Sequence, residues 1–176
     1  MNHVRHFLYS LTLSDRQHEA LVHLVGKPIN QIRLAAIENT TDVIPDAEHW
    51  VAGIRQALAH QGYQIEPVDL RQQSGWELEA KLIDCDVIWV GGGHTYYLRW
   101  IIKNSGADQM ITLLVKNGKV YARWSAGAVV FGPTTKYFDK MRGDPRHATE
   151  IINEGLHLNA RTIILHQDHH DFAAGA

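Results

Sequence analysis

Val87-Ile88-Trp89-Val90-Gly91-Gly92-Gly93-His94 is the stretch on which the fold turns. Its first four residues are β-branched or aromatic with no polar alternation, so the strand they form must be covered on both faces, as a central parallel strand is. The three glycines break that strand. Beyond them Tyr97, Leu98, Ile101 and Ile102 recur at the spacing of one helix face. A buried strand, a glycine turn and an amphipathic helix make the repeating unit of a doubly wound α/β fold, and the turn is where such folds open their ligand crevice.

The same alternation extends in both directions. Upstream, strand-length runs at His6 to Ser10, Ile32 to Ile37 and Ile65 to Leu70 are separated by two segments of helical period. Ser14 with Gln17 reads as a capping box for a helix from Asp15 to about Val25, and Ser74 with Glu77 as a second. After the polar loop from Glu38 to Pro45, Asp46 is placed to cap a helix whose Ala47, Val51, Ile54 and Leu58 share a face and which stops at Gln61-Gly62. Downstream come a helix from Asp108 to Lys116, a short strand from Val120 to Ala122, a polar irregular stretch from Thr134 to Asn153, and a last strand from Thr162 to Leu165 leading into His166. The expectation is one α/β domain over residues 1–176, its sheet mostly parallel and its helices on both faces.

Composition narrows the function classes. Of 176 residues, 45% are hydrophobic and 20% charged, the balance of a chain with a real core. Lys and Arg number 17 against 19 Asp and Glu, a net charge of −2, so no basic field exists to hold nucleic acid or an anionic membrane. No apolar run reaches the roughly 18 residues needed to span a bilayer. Cys85 is the only cysteine, which fits a reducing compartment, and the expected location is the cytoplasm.

The chemistry centres on Trp124-Ser125-Ala126-Gly127-Ala128. A serine between a short apolar strand and a helix start of small residues points its hydroxyl into the crevice, while the amide that follows it and the helix N-terminus can hold an oxyanion. The plainer explanation is a serine N-cap. The triple glycine favours the nucleophile, because glycine amides at the crevice can turn toward a bound carbonyl. A nucleotide site is disfavoured, since neither a G-x-G-x-x-G spacing nor a P-loop lysine follows.

Val90-Gly91-Gly92-Gly93-His94-Thr95 before a helix, Trp124 to Ala128, and a strand ending in His166 together resemble dipeptidase E, the cyanophycinases and related S51 serine peptidases. The resemblance covers nearly the whole chain. It implies a fold like that of the class I glutamine amidotransferases and a triad in the order Ser, Asp, His. Ser125 is then the nucleophile, His166 the base, and Asp144 the first choice for the orienting acid with Asp139 as the alternative. Gly92 and Ala126 would supply the oxyanion amides, with Gly93 and His94 lining the substrate site. No cofactor or metal is implied. His166, Asp168, His169, His170 and Asp171 crowd together, but neighbours on an extended strand point to opposite sides, so they read as a solvated tail rather than a metal site. The implied substrate is a small peptide, with no nucleic-acid or membrane partner.

Three departures from that pattern set further expectations. Arg123 stands two residues before the serine, where the elbow motif has glycine, and a side chain there is expected to strain the turn or occlude the site. His94 replaces the asparagine often found after the family's glycines, which changes the polar groups lining the pocket; the alternative is that its ring contacts Ser125. Relatives continue past the histidine with further elements, so a sheet edge left bare would be covered by a second copy in a homo-oligomer. The competing function class is a non-catalytic small-molecule binding protein on the same fold. Glutaminase chemistry is disfavoured because the elbow holds serine, while Cys85 precedes an apolar strand as a small buried residue.

Overall fold

The computed structural model describes residues 4–9, 13–141 and 145–165. Five strands, β1 (His6–Leu8), β2 (Arg33–Ile37), β3 (Gln64–Val68), β4 (Val87–Val90) and β5 (Val120–Arg123), form one sheet in the order β1-β5-β4-β2-β3. Every neighbouring pair is parallel, with Leu34 beside Val87 and Val87 beside Val120 across the centre. Among the described residues, five helices connect the strands, α1 (Asp15–Val25), α2 (Ala47–Gln61), α3 (Gly75–Asp84), α4 (Thr95–Asn104) and α5 (Ala107–Lys116), and α6 (Ala126–Phe131) follows β5.

The strand pleat divides the core in two. Leu34, Ala36, Val87, Trp89, Val120 and Ala122 face one side, where Leu21 of α1 and Leu58 of α2 cover them. Ala35, Ile37, Ile88, Val90 and Tyr121 face the other, against Leu82 of α3, Leu98 of α4, Ile111 of α5 and Phe131 of α6. This distribution follows from topology. Connections through α1 and α2 run toward β3 and lie on one face. Those through α3, and through α4 with α5, run back and lie on the other, as right-handed crossovers require. The direction reverses between β2 and β4, so the crevice opens where Glu38 and Gly91 follow those strands.

Leu98 is fully buried at the middle of α4. Leu98→Ala is expected to cost about 2–5 kcal/mol, read as a lowered urea midpoint at unchanged m-value.

Several expected boundaries move. β1 ends at Leu8, and β3 runs from Gln64 to Val68 rather than from Ile65 to Leu70, its register set by pairing with Arg33 to Ile37. In the polar loop after β2, Asn39–Thr41 closes into a 3-10 turn. Gln17 does reach back to the Ser14 amide at 2.9 Å. Asp46 and Ser74 precede their helices without a side-chain capping bond, and Asp46 has a left-handed backbone with φ 58° that turns it away from the extended geometry a cap needs. Thr162 to Leu165 is coil rather than a strand. Its β-branched residues suit a strand, but no strand among the described residues pairs with them. Ile163 and Ile164 pack instead near Val129 and Thr135, and the chain close by is held by an isolated antiparallel bridge between Thr134 and Glu154.

Candidate active site

Ser125 occupies the sharp turn from β5 to α6 with φ 46° and ψ −120°. A non-glycine residue in that region is strained, at a cost of about 1–3 kcal/mol, and persists only where its surroundings enforce it. Here they do. The Ser125 carbonyl accepts the amides of Ala128 at 2.8 Å and Val129 at 3.2 Å, and the Gly127 amide donates to Gly91 O at 3.2 Å, tying the turn to the end of β4. The Ser125 side chain makes no capping bond and is half-buried, so it is not an ordinary N-cap.

Gly92 lies directly against this turn. A Cβ on Gly92 would stand 2.7 Å from Ser125 Cβ and 2.6 Å from the Trp124 ring, closer than carbon atoms approach. Gly93, at φ 145°, lies on the backbone of Thr40, 2.6 Å from the Thr40 oxygen to an added Cβ. Two bonds fix the glycine loop in place: Thr40 Oγ1 donates to Gly92 O at 2.7 Å and the His94 amide donates to Thr40 O at 2.8 Å. Among the described residues, the amides of Gly92 and Ala126 donate to no backbone carbonyl outside the helices and strands.

His94 caps α4. Its Nδ1 accepts the Tyr97 amide at 3.2 Å, and its ring meets His147 edge-on with centroids 5.3 Å apart. Asp144 and His166 lie outside the described residues. Asp139 belongs to the 3-10 turn Lys136–Met141, where its side chain is likewise outside the description.

Arg123 corrects an expectation. Its side chain does not project into the crevice. It is 1% exposed, on the α6 face of the sheet, with its guanidinium carbon 3.6 Å from the centre of the Phe131 ring. The alternation of β5 requires this, since Arg123 shares its face with Tyr121 and Ser125 follows only after the turn. The cation is poorly satisfied there. Among the described residues Nε and Nη1 have no hydrogen-bond partner, and burial draws the guanidinium pKa down to about 10. Arg123→Met keeps the length and removes the unmatched charge, and is expected to raise unfolding stability by about 1 kcal/mol in chemical denaturation.

The loop after β2 supplies groups that read from sequence only as a polar connection. Glu38 Oε2 accepts Arg55 Nε at 2.6 Å, and Arg55 Nη2 closes on the same oxygen. Burial raises the Glu38 carboxyl above its ordinary pKa, opposed by the Arg55 hydrogen bond and charge. Asn39 donates to Asp42 at 2.8 Å and to Asp69 at 3.0 Å, while the Arg71 hydrogen bond holds Asp69 well below the usual carboxylate range. These side chains line a polar cleft of about 490 Å3. A narrow cavity walled by Trp50, Gly91, Gly92 and Trp124 has Glu38, Thr41 and Val51 in common with that cleft. The signal available in sequence was position: a polar run immediately after a buried strand, at the point where strand order reverses.

A serine held at φ 46° on the sharp turn from a parallel strand into a helix, packed against a glycine loop from the neighbouring strand, has the geometry of a strand-turn-helix elbow in an α/β protein. The chain belongs to peptidase family S51, whose model matches residues 18–173. An uncharacterized peptidase of Listeria monocytogenes is 30% identical over 119 residues, 68% of this chain and 58% of its own length. A peptidase E of a Nostoc species is 30% identical over 115 residues, 65% of this chain and 43% of its own. The chain thus spans about half the length of the curated relatives it matches. Among solved structures, a protein of Listeria monocytogenes described as of the peptidase E type superposes with a TM-score of 0.70 at 26% identity, covering 81% of this chain and 69% of that one. A peptidase from an actinobacterium, at 18% identity and a TM-score of 0.63 over 89% of this chain and 66% of that one, shares the fold. No described helix is long and apolar enough to cross a membrane.

Proposed function

We propose that the chain, folded as a single domain, is a serine-type peptidase acting on small peptides, with Ser125 as its nucleophile. The observation that carries this reading is the Ser125 backbone, held at φ 46° and ψ −120° with its side chain released from capping. Strain of that kind at a helix start has a use if the hydroxyl must face a substrate. Ser125 Oγ would attack the peptide carbonyl while its proton passes to His166. The carbonyl oxygen, now anionic, would be met by the amides of Gly92 and Ala126. Collapse would pass the proton from His166 to the departing amine and leave an acyl-serine, which water hydrolyses by the same route in reverse. Asp144, or Asp139 in its place, would orient the imidazole. Family membership supports a peptidase, and the glycine loop packed on the turn supports Gly92 as an oxyanion donor.

A purely binding role loses one of its arguments, because Arg123 is buried away from the crevice. The reading extends to a cytoplasmic enzyme that needs no cofactor. It also extends to a homo-oligomer, since β1 is an edge strand whose Leu8 is 49% exposed. Incubation with a fluorophosphonate tests the central claim. A single adduct on Ser125 is expected, and folded protein that stays unlabelled would refute the nucleophile.

A further inference from the structure

Thr40 is fully buried in the loop after β2, and both its side chain and its backbone engage the glycine loop after β4. Its Oγ1 donates to Gly92 O at 2.7 Å, 52 residues away in sequence. The neighbouring Thr41 satisfies its hydroxyl locally instead, on Glu38 O at 2.8 Å. The Thr40 carbonyl makes a second tie, accepting the His94 amide at 2.8 Å. Between these two ties lies the Gly92–Gly93 peptide, and among the described residues the Gly93 amide donates to no backbone carbonyl.

A trans peptide unit is planar, so its C=O and N–H point in opposite directions. β4 stands between β2 and β5, which leaves the glycine loop with Thr40 on its β2 side and Ser125 on its β5 side. Contacts on both flanks agree: a Cβ on Gly93 would lie 2.6 Å from Thr40 O, and one on Gly92 would lie 2.7 Å from Ser125 Cβ. With Gly92 O drawn to Thr40, the Gly93 N–H faces away from β2, toward the side of the serine turn. The loop alone would not keep it so. Both residues are glycines, which take φ of either sign, and Gly93 stands at φ 145°. A peptide between two glycines turns over at low cost, and the turned form would aim the Gly92 carbonyl toward the side on which a substrate oxygen gathers negative charge.

We infer that Thr40 is a positioning residue of the peptidase site, its hydroxyl holding the Gly92–Gly93 peptide with the N–H toward Ser125 and the carbonyl turned away. Its catalytic consequence rests on the peptidase reading, whereas the orientation of the peptide does not. Thr40 acts through the glycine loop and needs no contact with substrate.

Thr40→Val keeps the shape of the side chain and removes the donor, while Thr40→Ser keeps the donor. Fluorophosphonate labelling of Ser125 is expected to be about 10-fold slower in Thr40→Val, the worth of one buried hydrogen bond, and within about 2-fold of wild type in Thr40→Ser. On small peptides the loss should fall on kcat, with KM little changed. NMR relaxation dispersion reads the peptide itself: exchange broadening at the Gly93 amide is expected in Thr40→Val and in neither wild type nor Thr40→Ser. A hydroxyl kept only for stability would lower the unfolding midpoint of Thr40→Val and leave labelling rate, kcat and Gly93 exchange as in wild type, which would overturn the inference. Equal losses in Thr40→Val and Thr40→Ser would overturn it too, because the donor would then not be the cause. Wild type that resists the reagent would refute the peptidase reading, while Gly93 broadening confined to Thr40→Val would still uphold Thr40 as the residue that sets this peptide.

Discussion

Ser125→Ala is expected to lower kcat for small peptides by about 10⁶-fold, leaving only the residual acceleration that oxyanion donors and binding provide. A panel of dipeptides followed by release of free amine measures it. Ser125→Gly separates chemistry from strain at the same position. Both variants lack the hydroxyl, but alanine still has to occupy φ 46° and ψ −120°, a region that glycine enters freely. Glycine loses more backbone entropy on folding, about 0.5–1 kcal/mol, against relief of about 1–3 kcal/mol. Ser125→Gly should therefore be about 1 kcal/mol more stable than Ser125→Ala in denaturant titration, with neither active. Two equally stable variants would put the strain at only the ~0.5–1 kcal/mol that offsets glycine's entropy, and a Ser125→Gly less stable by that amount would mean that the turn holds none.

Gly92→Ala is expected to be the most damaging change outside Ser125. Its new Cβ would meet the Ser125 Cβ at 2.7 Å and the Trp124 ring at 2.6 Å, so either the serine turn or the glycine loop must move. A displaced oxyanion donor costs about 10²–10³ in kcat, and KM should change much less. Gly91→Ala is the control. Its added Cβ finds Thr40 Oγ1 at 3.5 Å, an ordinary contact, and should leave activity within a few-fold of wild type. If both substitutions were harmless, the packing of the glycine loop on Ser125 would have no catalytic meaning.

Much of this was legible in residue order. Val87 to Val90 read as a central strand because all four residues are apolar, and all four are buried with strands on either side. The helix after it was legible from Tyr97, Leu98, Ile101 and Ile102, all buried. What escaped depends on tertiary placement. Nothing local distinguishes Glu38 from any loop carboxylate, and its role as a shared wall of two cavities arises only when β2 lies beside β4. Arg123 was misread because the elbow motif counts residues along the chain, whereas the strand pleat decides which face a side chain takes. Thr162 to Leu165 was misread because β-propensity says nothing about whether a neighbouring edge is present.

Trp124 is half-buried beside the serine, its ring 5.5 Å from that of Trp50 at 84° and 6.5 Å from that of Tyr9. Two of the chain's tryptophans thus meet edge to face on the cavity that touches Gly92, whereas Trp76 stands 82% exposed on α3. The molecule therefore carries its own optical reporter. In a Trp76→Phe background, the indole emission that remains is weighted toward the serine turn and its surroundings. Acylation, inhibitor capture or movement of the glycine loop can then be followed in real time without any attached dye.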